Sequence, residues 1–245
     1  MTKFENWLKG LSDDERIERA ASKQNHIQQH LTASIYLYEN NRIFVFDTDF
    51  DKRVPESFAR HTFNIAKQTL VKSHFLQICK LWDKPDVDRD SLPTVGKLLD
   101  SPAVLSRQEQ LQIERARSSR KIADFARNTW MIEESEKNSL KVAAERRAGL
   151  EEANDETQKL ASSKLINDLR DYRDRYIAHS LSTKPVPLDL PYYGDSERLM
   201  EVTKPILSLY LKGIGASDPS WSENHMIARR YAEALWKNCQ FNVAE

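Results

Sequence analysis

Apolar positions recur at three- and four-residue spacing through most of the chain, and stretches alternating residue by residue are nearly absent. The first periodic run follows Ser12-Asp13-Asp14-Glu15, which has the spacing of a capping box. Ile17, Ala21, Ile27, Leu31 and Ile35 then fall roughly on one face of a long helix, and Asn40-Asn41 reads as its stop. The apolar run RIFVF (42–46) is the one place where a short strand is expected. Pro55 is placed to open a second long helix, because a first turn tolerates its missing N–H. Its stripe of Phe58, His61, Ile65, Leu70, Phe75, Ile78, Cys79 and Trp82 marks it as the strongest core helix.

Residues 84–102 carry three prolines and read as a connection around a short helix, TVGKLLD. From 106 to 180 there is no proline, and the run is rich in Glu, Lys, Arg, Ala, Gln and Leu. That run predicts a long, charged, antiparallel helical hairpin, with Gly149 and Asn154-Asp155 as the break between two helices. A proline-rich loop, LSTKPVPLDLPYYGD, precedes two further helices near SERLMEVTKPILSLYLKG and SENHMIARRYAEALWKNC. The prediction is an all-α, up-and-down helical bundle forming a single domain over 1–245. Its core spans about 12–183 and its C-terminal helices about 195–240.

Composition narrows the function classes. Six glycines in 245 residues speak against glycine-rich phosphate loops and sheets built on many tight turns. Lys+Arg and Asp+Glu stand at 37 each, so any nucleic-acid site must be a local patch rather than a global charge. Cys79 and Cys239 sit among apolar neighbours in helical patterns and predict two buried reduced thiols, not a disulfide framework. The N-terminus has no apolar signal core and no stretch has membrane-spanning length, so a soluble, cytoplasmic protein without a membrane partner is expected.

Several constellations invite chemistry and have plainer readings. Asp47, Asp49 and Asp51 follow RIFVF, but an EF-hand loop beginning at Asp47 would need Gly at its sixth place and Glu at its twelfth, where Lys52 and Phe58 stand. A polar turn capping the Pro55 helix accounts for them. His26 and His30 have a spacing that can ligate a metal, without an acidic or cysteine partner at helical spacing, and read as surface or interface histidines. His61 and His74 read as core or boundary residues. The run RARSSRK (115–121) is diluted by Glu109, Glu114 and Asp124 and reads as a solvated face, while remaining a candidate phosphate patch. No cofactor or metal site is expected.

The segment LINDLRDYRDRYIAHS differs. Leu165, Leu169, Tyr172 and Tyr176 form an apolar stripe, yet the helix end carries Arg170, Arg173 and Arg175, interleaved with Asp171 and Asp174, and then His179. Packing alone does not require that many charges beside an apolar seam. An arginine, a polar residue directly after it, and a histidine four to six positions beyond the arginine make up the signature of the HEPN superfamily. Arg173, Asp174 and His179 reproduce it, and the wording RDRYIAHS most resembles the abortive-infection AbiU-type branch. The resemblance covers about residues 20–185, with an apolar helix ending like FLQICKLWD and a connection like SLPTVGKLLD; the last two helices match more loosely.

The resemblance implies a HEPN-type helical bundle that forms a homodimer, with two motifs facing across a two-fold axis. In catalytic members it implies a metal-independent endoribonuclease, with RNA as the partner. A phage-defence or toxin-like setting then makes an antitoxin or other defence partner an expectation. Histidine suits proton transfer near neutral pH, and arginine suits a phosphate on which negative charge develops. His179 would be the general acid/base, Arg173 the phosphate clamp and Asp174 an orienting carboxylate, with Arg170 and Arg175 in support. On a regular helix six residues at ~100° each leave Arg173 and His179 roughly 120° apart. A distortion near Ala178, or one residue from each protomer, would bring them to one phosphate. Arg175 shares a face with His179 without distortion and is the alternative clamp. Many HEPN relatives are non-catalytic, so the alternative is a helical interaction or regulatory module.

Overall fold

Helix dominates because good helix formers fill long proline-free runs and because side chains cap the helix starts. The computed structural model describes residues 1–54, 56, 58–121, 129–178 and 193–239. Ten α-helices and one π-helical turn lie among the described residues, and no strand does. The order is α1 (Lys3–Lys9), α2 (Asp13–Phe44), α3 (Thr48–Lys52), α4 (Phe58–Leu81), α5 (Leu92–Leu99), α6 (Pro102–Lys121), α7 (Thr129–Ala161), α8 (Lys164–Tyr172), the π turn (Arg173–Ala178), α9 (Tyr193–Ile214) and α10 (Trp221–Trp236).

The chain forms two compact units, each assembled from separated stretches. The first comprises Met1–Ile27, Asp83–Ser162 and Pro205–Asp218; the second comprises Gln28–Trp82, Ser163–Lys204 and Pro219–Glu245.

In the first unit the capping box that opens α2 is formed. Ser12 Oγ accepts the Glu15 amide at 3.3 Å, and Glu15 Oε2 accepts the Ser12 amide at 2.8 Å. Short α1, which the hydrophobic pattern did not predict, starts on the same device, with Thr2 and Glu5 exchanging side-chain bonds. The expected connection helix is α5: Ser91 caps it, Pro93 sits in its first turn, and Leu92, Val95, Leu98 and Leu99 are buried. Helices α6 and α7 pack antiparallel, stitched by Arg147 to Glu109 at 3.0 Å and by Arg117 to Glu136 at 2.7 Å, so the two arms are not those the sequence predicted.

The expected break at Gly149 and Asn154 is absent, and α7 runs through both to Ala161. Packing overrides the local signals. Asn154 is buried, accepts the Tyr210 hydroxyl at 2.9 Å and donates to the Leu99 carbonyl at 3.3 Å. The chain turns instead at Ser162, before Ser163 caps α8.

In the second unit two further expectations are corrected. Helix α2 does not stop at Asn40-Asn41, and RIFVF forms no strand; the helix continues to Phe44 and ends in a turn. Both asparagines are held by side-chain bonds compatible with helix. Asn40 donates to Tyr36 O at 2.8 Å and accepts Trp236 Nε1 at 2.7 Å, while buried Asn41 donates to Leu70 O at 3.5 Å. Phe44 then stacks on Trp236 with ring centres 4.3 Å apart and meets Phe50 edge-on. Asp47 accepts the Asp49 amide at 2.8 Å at the start of α3, so the acidic turn caps α3 rather than the following helix.

Helix α4 begins at Phe58, and Pro55 lies outside the described residues. Its fully buried residues lie in its C-terminal part, where His74, Phe75, Ile78 and Cys79 are buried with Trp82 just beyond, while Phe63, Ala66 and Leu70 pack partly buried against Phe44, Phe50 and Val54. His61 and Ile65, expected on the buried stripe, are exposed. Cys79 is buried and its thiol meets the Leu169 carbonyl at 3.8 Å, whereas Cys239 is only half-buried.

Candidate functional site

The end of α4 builds the platform for the motif. A helix leaves its last carbonyls without intrahelical donors, and a cation there both bonds them and meets the negative end of the helix dipole. Trp82 follows directly on α4, and its carbonyl accepts from Arg170 Nε at 2.8 Å and from Arg170 Nη2. Arg170 is buried at 8% exposure, so its charge is spent on positioning α8. Leu169 is buried beside it, and Tyr172 meets Phe75 edge-on at 5.2 Å. The predicted stripe is present in altered register: Ile166 and Leu169 are buried, while Leu165 and Tyr172 are half-buried. The Tyr176 side chain lies outside the described residues.

Arg173 begins the π-helical turn, which runs to Ala178. Winding with i→i+5 bonds is rare, and it commonly marks functional sites because the extra residue re-aims its neighbours. The winding departs from a regular α-helix over Arg173–Ala178, the stretch where the sequence asked for a distortion. His179 itself lies outside the described residues. Arg173 Nε donates to Asp174 Oδ1 at 2.8 Å, so the carboxylate directly after the arginine holds it. Their side chains are 14% and 55% exposed, placing the arginine inward and the carboxylate toward solvent. Arg175 is half-buried on the same turn. Of the predicted site residues, Arg173, Asp174 and Arg175 share this turn, whereas Arg170 faces the end of α4.

A family model described as AbiU2, of HEPN AbiU2 type, matches residues 17–235. The chain belongs to the HEPN AbiU2 family. No curated protein and no solved structure matches it. The match includes the two C-terminal helices almost to the end of α10, beyond the residues on which the sequence resemblance rests.

The other candidates in this AbiU2 chain are accounted for by local contacts. His26 Nδ1 pairs with Asp90 Oδ2 at 2.9 Å, and His30 Nδ1 with Gln77 Oε1 at 2.9 Å. No group of three or more metal-ligating side chains occurs among the described residues. Nor is any described helix long and apolar enough to cross a membrane. In the basic run, Arg115 donates to the Ile214 carbonyl at 3.3 Å and Arg117 pairs with Glu136; the side chains of 119–121 lie outside the described residues.

One cluster escaped sequence reasoning. Glu39, 1% exposed, accepts from His225 Nδ1 at 2.8 Å, from Arg229 Nε at 3.2 Å and from Arg42 Nη1 at 3.2 Å. These bonds to its charged form hold its pKa below the usual carboxylate value, even though burial acts in the opposite direction. Lys204 Nζ lies 2.7 Å from His225 Nε2, while the neighbouring Tyr38 hydroxyl donates to Glu197, and burial raises its pKa. An ammonium can only donate, so His225 carries its proton on Nδ1 and accepts at Nε2. The only sequence signal was His225 and Arg229 at four-residue spacing, and their partner stands 186 positions away from His225.

Proposed function

We propose that this protein is a metal-independent endoribonuclease of a phage-defence or toxin-like system, acting as a homodimer with Arg173 and His179 at the shared interface. In this reading His179 takes the proton of the ribose 2′-hydroxyl and the 2′-oxygen attacks the adjacent phosphorus. The bond to the 5′-oxygen breaks, and that oxygen is protonated as it leaves. The products are a 2′,3′-cyclic phosphate and a 5′-hydroxyl. Arg173 neutralises the charge gathering on the phosphate oxygens, and a forked guanidinium does this better than an ammonium. The observation that carries the reading is Arg173 held by Asp174 on a π-wound turn, in the motif order of the family to which the chain belongs. Arg170 acts as a positioning residue through Trp82, and Arg175 remains the alternative clamp.

The deciding experiment is incubation with a mixed RNA pool, with chelator present. RNA should be cut, DNA should resist for want of a 2′-hydroxyl, and His179→Ala should abolish cleavage. Arg173→Ala should reduce the rate about 10²–10³-fold, the usual cost of one lost preorganised donor. If Arg175→Ala is the crippling change and Arg173→Ala is mild, Arg175 is the clamp. A second reading has its own support: Arg173 is mostly buried and ion-paired, as in a module that uses the motif to tie itself to a defence partner. Wild-type protein that never cuts RNA above the His179→Ala background sinks the nuclease reading in favour of that module.

A further inference from the structure

The second unit contains a cleft of about 540 Å³, lined from α2, α9 and α10, that the motif does not use. The volume is in the range of small-ligand sites, which run from about 300 to 1,000 Å³. Three cations line it, Arg42, Lys204 and Arg229, against two carboxylates, Glu39 and Glu201. The two kinds of charge are not equally placed. Glu39 is buried, while Arg42 and Arg229 are about half exposed at 46% and 50%. Each guanidinium spends a single nitrogen on Glu39, Nη1 in Arg42 and Nε in Arg229. A guanidinium has five N–H donors, so each keeps donors for an incoming oxyanion. The buried carboxylate acts as an internal brace that fixes both arginines before any ligand arrives, which lowers the ordering cost of binding. Trp221 contributes an aromatic side chain to the same wall, and Met226, 63% exposed, adds a polarisable apolar surface.

We propose that this cleft is a nucleotide-phosphate site, with Arg42 and Arg229 on the phosphate and Trp221 against the base. Aromatic stacking accepts any base, and paired arginines suit phosphate, so the recognised chemistry is a phosphate beside a nucleobase. A free nucleotide and a single RNA strand both carry it.

The site is tested by calorimetry on the full-length His179→Ala protein, which keeps RNA intact and leaves the outcome independent of whether the wild type cleaves. The probes are inorganic phosphate, adenosine, adenosine monophosphate and a short 2′-O-methyl oligoribonucleotide. The monophosphate should bind saturably, adenosine should not, and phosphate alone should bind more weakly. Arg229→Gln should weaken the monophosphate about tenfold or more, the loss expected for a charge-assisted contact. Removing Arg229 also takes one partner from buried Glu39, so Met226→Glu serves as a second variant, adding a negative charge at an exposed position; it should weaken binding as well. Comparable binding of the monophosphate and the oligonucleotide identifies a free nucleotide as the ligand. Much tighter binding of the oligonucleotide, equally sensitive to both variants, identifies a strand. No saturable binding of any probe, or binding indifferent to both variants, overturns the proposal.

Discussion

Burial pushes the His74 imidazole down to about 4, since the fold holds it in its neutral form beside Tyr38 at a ring distance of 6.0 Å. An unfolded histidine titrates near 6.5, so between about 4 and 6.5 the unfolded chain binds a proton that the folded chain refuses. Stability should therefore fall as pH drops through that window and stay level above it, by on the order of 3 kcal/mol over the full range. Thermal midpoints between pH 7.5 and 4.5 should decline in the wild type and flatten in His74→Phe. Equal slopes would mean that other groups govern the acid limb. The same scale separates the arginines of the motif. Arg170 and Arg173 are three apart, yet one is spent on the Trp82 carbonyl and the other on the adjacent Asp174. Sequence placed both beside His179 and had no means of telling them apart, because what divides them is the end of α4, some ninety positions earlier.

Among the helices, two glycines put opposite demands on the chain. Gly213 in α9 lies against Leu150 of α7, where a Cβ would stand 2.4 Å from Leu150 Cγ and 2.3 Å from its Cδ2. Leu150 is buried and its branch point cannot swing aside, so Gly213→Ala should destabilise by about 1–3 kcal/mol. A Cβ on Gly149, mid-way along α7, would meet only Leu209 Cδ2 at 3.5 Å, an ordinary contact. Gly149→Ala should be neutral or gain up to about 1 kcal/mol from helix propensity. Urea midpoints of the two variants, moving in opposite directions, would check both. The pair also explains what was legible beforehand. A capping box, proline-free runs and three-four spacing marked α2, α4, α5, α9 and α10, and marked 106–180 as helical without placing its breaks, because those signals act within a few residues. Asn154 and Asn40-Asn41 misled because their local preference for ending a helix is outweighed by remote partners, Asn154 with Tyr210 and Asn40 with Trp236. The π turn was visible only as a geometric need between Arg173 and His179.

For the whole molecule, the proposed two-fold site makes a sharp expectation about mixing. If each site draws Arg173 from one protomer and His179 from the other, Arg173→Ala and His179→Ala proteins are each inactive, yet their heterodimer retains one intact site. Equal mixing with subunit exchange should then recover about a quarter of wild-type cleavage. No recovery, with exchange verified, would mean that both residues of a site come from one chain. Each compact unit is also discontinuous, interleaved with the other along the chain, and this matters during synthesis. A ribosome releases the chain from the N-terminus, so Glu39 emerges long before His225 and Arg229, which stand 186 and 190 positions later. Until they appear, Arg42 alone is at hand for a carboxylate that the folded protein buries, and burying it so poorly compensated is costly. The second unit, motif included, is therefore expected to close only once α10 has emerged. A chain that attacks RNA would on this account stay harmless to the message and ribosome producing it until α10 has been made.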